Sequence, residues 1–200
     1  MKKRILVMLG AVVMVCCTLG AQANKSFLSD RPLYVQLSTG LVGEDWADFD
    51  SGQSWKFDYA GKTGIGFGGV IGLGLYKHLS GELGMQFLPK AEYTQAGTKY
   101  NISQFLSYLA SRITVTVSPN MALFTRVGLG YRSFDNSQPG YGSGNVIAPV
   151  FGVGLNYFFS KVFWGGFSYT HQPGKFTGDT ADRAPNYNEY SLTLMYRFRS

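Results

Sequence analysis

The chain has 200 residues, of which 45% are hydrophobic, 16% aromatic and 15% charged, with 26 glycines and a formal charge of +6. So few charges with so many aromatics exclude a disordered chain, and the glycines and aromatics do not suit a coiled coil. Beyond the N-terminus no run of about 18 apolar residues exists, which excludes a bundle of membrane helices. An all-β chain of about one domain is left.

Residues 1–23 read as a secretory signal. Lys2, Lys3 and Arg4 form a basic start, Ile5 to Gly20 carries no charge, and Ala21-Gln22-Ala23 is a small-x-small cleavage site. Both cysteines, Cys16 and Cys17, fall in this leader, so the remaining chain has no thiol for disulfides, catalysis or metal binding. Loss of the three leader cations takes the charge from +6 to +3. No compact Lys/Arg run remains to track phosphates, so nucleic acid is not an expected partner.

Residues 24–200 repeat a period of two, the signature of strands with two unlike faces. The first strand sets Leu33, Val35, Leu37 and Leu41 against Tyr34, Gln36, Ser38 and Gly40. The second sets Ile65, Phe67, Ile71, Leu73 and Leu75 against Gly64, Gly66, Gly68, Gly72 and Gly74. The third sets Leu79, Leu83, Met85 and Phe87 against Glu82, Gly84 and Gln86. The fourth sets Phe105, Leu109, Ile113, Val115 and Val117 against Tyr108, Ala110, Arg112, Thr114 and Thr116. The fifth sets Leu123, Val127, Leu129 and Tyr131 against Arg126, Gly128, Gly130 and Arg132. The sixth sets Ile147, Phe151, Val153, Leu155 and Tyr157 against Ala148, Gly152, Gly154 and Asn156. The seventh sets Phe163, Phe167 and Tyr169 against Trp164, Gly166, Ser168 and Thr170. The eighth sets Tyr190, Leu192, Leu194, Tyr196 and Phe198 against Ser191, Thr193, Met195 and Arg197.

Short turns at about 77–79, 118–120 and 159–161 alternate with long polar loops at about 44–62, 89–100, 134–145 and 172–188. A soluble sandwich has no reason to sort its loops this way. An outer-membrane barrel does, with short turns in the periplasm and long loops outside. Closure also satisfies every backbone group, as a bilayer requires. The polar face is mostly Gly, Ser, Thr and Gln, too small and uncharged for the solvated exterior of a lipocalin-like barrel. The expected fold is therefore all-β, an eight-stranded antiparallel up-and-down transmembrane β-barrel over 24–200. Tyr157, Phe163, Tyr196 and Phe198 would form an aromatic girdle at the short-turn end, with Tyr131 and Tyr169 at the other.

Several segments carry the resemblance to a known family: Gly81-Glu82-Leu83-Gly84-Met85, Leu123-Phe124-Thr125-Arg126-Val127-Gly128, Pro149-Val150-Phe151 and the close Tyr196-Arg197-Phe198. The chain resembles the OmpA-type transmembrane domain of Gram-negative bacteria, most strongly over 64–198, without the C-terminal peptidoglycan-binding domain. The resemblance implies an outer-membrane location, with membrane lipid and lipopolysaccharide as surroundings. Tyr196 and Phe198 would form the terminal signal read by the outer-membrane assembly machinery. Thr193, where relatives often carry Gly, and the trailing Arg199 and Ser200 depart from that signal.

Glu82, Arg112, Arg126 and Arg197 fall on polar-face positions. The resemblance implies that such charges form an ion-pair network plugging the lumen. Eight strands enclose an interior just wide enough for side chains to fill. Relatives carry a second acid on the seventh strand, where this chain has Ser168, so an excess of arginine is expected, with the network rearranged, hydrated or anion-bound. A structural, envelope-supporting barrel is the first reading. A narrow gated pore is the second, and an adhesin using loops 44–62 and 172–188 is the third. Trp46, Trp55, Tyr59, Tyr93, Tyr141 and Tyr187 are the loop aromatics available as contact anchors.

Catalysis, metals and cofactors are not expected. Of two histidines, His78 sits in a short turn and His171 precedes Gln172-Pro173. The His-x-Ser of a membrane lipid deacylase is missing, and Ser168 has the opposite parity to His171. Glu44, Asp45, Asp48, Asp50 and Asp58 lack the spacing of a calcium loop and read as a solvated acidic loop. The glycines of 64–74 recur every second residue on one strand face, which is not a phosphate-loop pattern.

Overall fold

The computed structural model describes residues 32–44, 63–95, 97–138, 144–174 and 185–198, apart from the side chains of Thr63, Tyr93 and Gln95. The leader falls outside them, as do Trp46, Trp55, Tyr59, Tyr141 and the aspartates of the first loop. Among the described residues nine strands are present: β1 Leu33–Glu44, β2 Thr63–Tyr76, β3 Leu79–Phe87, β4 Ala91–Gln95, β5 Thr98–Ser118, β6 Met121–Asn136, β7 Gly144–Phe158, β8 Phe163–Gln172 and β9 Tyr187–Arg197. All described pairings are antiparallel. The order runs β3-β2-β1-β9-β8-β7-β6-β5, and β3 pairs back onto β5, closing an eight-stranded barrel.

β4 corrects the expectation of an open loop over 89–100. Ala91 to Gln95 pair with Ile102 to Thr98, so β4 continues β3 above the barrel. Phe87 faces Phe105 and Ala91 faces Ile102, so Leu88-Pro89-Lys90 oppose only Ser103 and Gln104. Pro89 has no N–H to give the ladder, and the extra residue is absorbed there as a bulge. The hairpin then reverses beside Gly97, whose φ is 80°, a conformation glycine adopts without a steric penalty.

The two faces separate cleanly. Leu37, Ile65, Leu109, Leu129, Ile147 and Leu192 are exposed on the outside, while Gln36, Glu82, Arg112, Arg126 and Glu189 are buried inside. On β5 the outward face is largely apolar from Val117 to Phe105, then turns polar at Ser103, Asn101 and Lys99. At about 3.3 Å per residue and a strand tilt near 40°, the apolar stretch spans about 30 Å along the membrane normal. Aromatic contacts mark its edges. Phe163 lies 5.1 Å from Tyr196, and Tyr196 lies 5.0 Å from Phe198, at the short-turn end. Tyr169 meets Tyr190 at 5.0 Å towards the other end.

Inside, three large rings lie over glycines of the neighbouring strand. Tyr34 faces Gly72, Tyr108 faces Gly84 and Phe124 faces Gly154. A Cβ at any of these glycines would overlap the ring. These glycines are therefore seats for aromatics, as well as a way to keep the interior narrow.

The lumen as candidate functional site

The lumen is filled in layers. Nearest the short-turn end of the filled region, Glu82 on β3 is the hub. Arg126 Nε donates to Glu82 Oε2 at 2.5 Å, Arg112 Nη1 to Oε1 at 3.1 Å, and the Tyr34 hydroxyl to Oε1 at 2.5 Å. All these side chains are deeply buried, and both ion pairs are nearly inaccessible to solvent. The Phe124 ring lies against both cations, 3.8 Å from Arg112 Cζ and 5.6 Å from Arg126 Cζ to the ring centroid. Stacking on a ring suits the flat, weakly hydrated guanidinium.

A second cluster joins Gln86, Tyr187 and Glu189. Gln86 Nε2 donates to Glu189 Oε2, and the Tyr187 hydroxyl lies between Gln86 Oε1 and Glu189 Oε2, 2.8 Å from the latter. Tyr187 also belongs to an apolar cluster with Val42, Val70, Leu106 and Val150. A third cluster sits at the outer end. Gln104 Nε2 donates to Glu44 Oε2 at 2.6 Å, and Arg132 lies 3.4 Å from Glu44 Oε1 and also donates to the Pro185 carbonyl.

Several of these contacts cross between strands that are not neighbours in the sheet. Arg126 on β6 reaches Glu82 on β3, Arg112 on β5 reaches Gln36 on β1 at 3.4 Å, and Gln86 on β3 reaches Glu189 on β9. A side-chain bridge across a barrel occupies the space a channel would need.

The sequence-predicted residues divide in two. Glu82, Arg112 and Arg126 come together. Arg197 has the right parity but does not join them. It is the last residue of β9, half-buried at the short-turn rim, with its guanidinium 5.9 Å from the Trp164 ring. Tyr187 and Glu44 correct the loop reading: Tyr187 is wholly buried in the lumen, and Glu44 ends β1 facing Arg132. The expected excess of arginine is found locally, where Arg112 and Arg126 share Glu82, but not over the described lumen as a whole. Arg112, Arg126 and Arg132 share the lumen with Glu44, Glu82 and Glu189. Ser168 lies inside, 2.8 Å from the Ser191 hydroxyl.

Tyr196 and Phe198 lie on the outward face, and the Phe198 N–H donates to Leu33 O at 2.9 Å. His171 sits near the outer end of β8, with Nδ1 2.9 Å from Asn188 Oδ1. The Tyr169 hydroxyl donates to that same oxygen at 2.7 Å. Ser168 faces the other way, so no Ser–His pair forms between these two.

Sequence reasoning missed Glu189 altogether, read Glu44 and Tyr187 as loop residues, and put Arg132 on the polar face without joining it to the network. Glu189 shares parity with Ser191 and Thr193, and Glu44 with Gln36 and Ser38. Carrying the alternation one or two positions further would have found both acids.

The family model for the outer membrane protein beta-barrel domain matches residues 9–198. No curated protein matches the sequence. Among solved structures, the chain is similar to Neisserial surface protein A, at 10% identity and TM-score 0.58, covering 83% of this chain and 97% of that one. OprG from Pseudomonas aeruginosa aligns at 13% identity and TM-score 0.56, covering 84% and 96%. Ail, the attachment invasion locus protein of Yersinia pestis, solved with the heparin analogue sucrose octasulfate, aligns at 12% and TM-score 0.52, covering 84% and 99%. At such identities the likeness is one of fold. The match over nearly the whole chain assigns the family: this chain belongs to the outer membrane protein beta-barrel domain family, and its place is the bacterial outer membrane.

Proposed function

We propose that the protein is a sealed structural barrel that supports the integrity of the outer membrane. The observation that carries this reading is the set of buried bridges across the lumen, centred on Glu82 between Arg112 and Arg126. A water-filled pore leaves its lining charges solvated. Here they are held by one another and by amides and hydroxyls, with an apolar cluster packed among them. Removing one partner of such a buried set strands the rest, so the network also ties β1, β3, β5, β6 and β9 together.

The same reading takes residues 1–23 as a leader removed on export, and Tyr196 and Phe198 as the terminal signal for the assembly machinery. Outward aromatics and the aliphatic band then meet lipid and lipopolysaccharide. A strain lacking the protein should become sensitive to detergent and to bulky antibiotics, and the wild-type chain should restore resistance. Unchanged sensitivity would overturn the structural role. Ligand binding that is lost on deleting 45–62 or 175–184, with no change in sensitivity, would favour an adhesin.

A further inference from the structure

Arg112 and Arg126 stand directly opposite each other in the β5–β6 register. Like charges in that relation repel. One carboxylate, Glu82, bridges them, so the triplet carries a formal charge of +1. Among the described residues, the next acid, Glu189, is within electrostatic reach of Arg126 and Tyr108 but forms no direct ion pair with either arginine, so it offsets the surplus only at a distance. Its described partners are Gln86 and Tyr187.

Each guanidinium keeps a buried nitrogen without a partner, Arg112 Nη2 and Arg126 Nη2. The Tyr108 hydroxyl, whose ring centroid lies 5.3 Å from Arg126 Cζ, has none either, nor does Asn156 Nδ2 towards the short-turn end. All four groups can donate. The unpartnered acceptors, Gln104 Oε1 and Gln172 Oε1, belong further out: Gln104 bonds Glu44, and Gln172 sits by Gly130 with Leu106 and Val150. Water accepts hydrogen bonds but brings two protons that need acceptors of their own. A halide only accepts, and it cancels the surplus charge.

The geometry points to a binding site for one small monovalent anion of chloride size, held between the Arg112 and Arg126 guanidinium groups with the Tyr108 hydroxyl as third donor and the Phe124 ring as its apolar wall. The site would explain how two opposed arginines share one carboxylate in a closed interior. It does not depend on the sealed-barrel reading, because an anion-independent barrel could still be silent and a conducting one could still bind chloride.

The test is refolding into phospholipid vesicles in chloride, bromide or gluconate at equal ionic strength, followed by urea unfolding. Gluconate, a far larger anion than the halide-sized one proposed, is the control. The midpoint should rise saturably with chloride and bromide, and a crystal grown in bromide should give an anomalous peak between the two guanidinium groups. Arg112→Gln and Arg126→Gln should abolish the halide response. Tyr108→Phe keeps both cations and should weaken apparent halide affinity several-fold; it decides the matter should the arginine variants fail to fold. Equal midpoints in chloride and gluconate, or a halide response unchanged in Tyr108→Phe with no bromide peak in the lumen, would overturn the site.

Discussion

Leu109 and Arg112 stand three residues apart on β5, the first 68% exposed and the second 2%. In a water-soluble domain the two numbers would be exchanged. The difference teaches that each face is matched to its own surroundings. The outward face meets lipid, where an aliphatic side chain needs no protein neighbour. The inward face meets other strands, where every charge must find its partner within the barrel. The outside is therefore tolerant of shape and intolerant of charge, and the inside is the reverse.

The largest break in that comparison should come from Glu82→Ala. It leaves two buried guanidinium groups without their carboxylate, and the loss should be about 3–5 kcal/mol. Lower urea midpoints and loss of the heat-modifiable gel shift would register it; an unchanged midpoint would mean the hub is not stabilising. On the outside, Leu109→Arg places a charge within the apolar band and should cost about 2–4 kcal/mol. The same charge at Ser133, near the outer rim, should cost only about 0–1 kcal/mol. Equal effects at the two depths would contradict the membrane boundary drawn here.

Shape tests the same asymmetry more gently. Gly84→Ala drives a methyl into the Tyr108 ring, and overpacking of this kind costs about 1–3 kcal/mol. Gly81→Ala, whose Cβ would meet only Leu75 Cδ1 at 3.6 Å, should stay within about 0.5 kcal/mol. Tyr187→Phe removes the hydroxyl between Gln86 and Glu189 and should lower stability by about 1–2 kcal/mol. Urea titrations in vesicles rank all of these on one scale.

The strand faces were legible because lipid and lumen impose opposite chemistry at every second residue. That parity alone placed Glu82, Arg112 and Arg126 indoors. It failed at strand ends, where the alternation is interrupted. Val42 is an apolar residue on the lumen face, so the pattern of β1 broke just before Glu44, and Glu44 read as loop. Glu189 and Tyr187 lie past the last obvious aliphatic of β9, beside a long loop rich in charge, and were lost the same way. Arg197 shows the other limit. Parity gives the face of a strand but not the height, and at the rim a side chain has a ring of Trp164 in reach instead of a carboxylate. The β4 hairpin was hidden by Pro89, which reads as a strand breaker and here marks a bulge.

Single-channel recording in planar bilayers tests the central claim most directly. The wild-type barrel, reconstituted with its fold checked by gel mobility, should give a flat trace with no unitary steps. Stable steps of one size from the wild-type protein would contradict the sealed lumen.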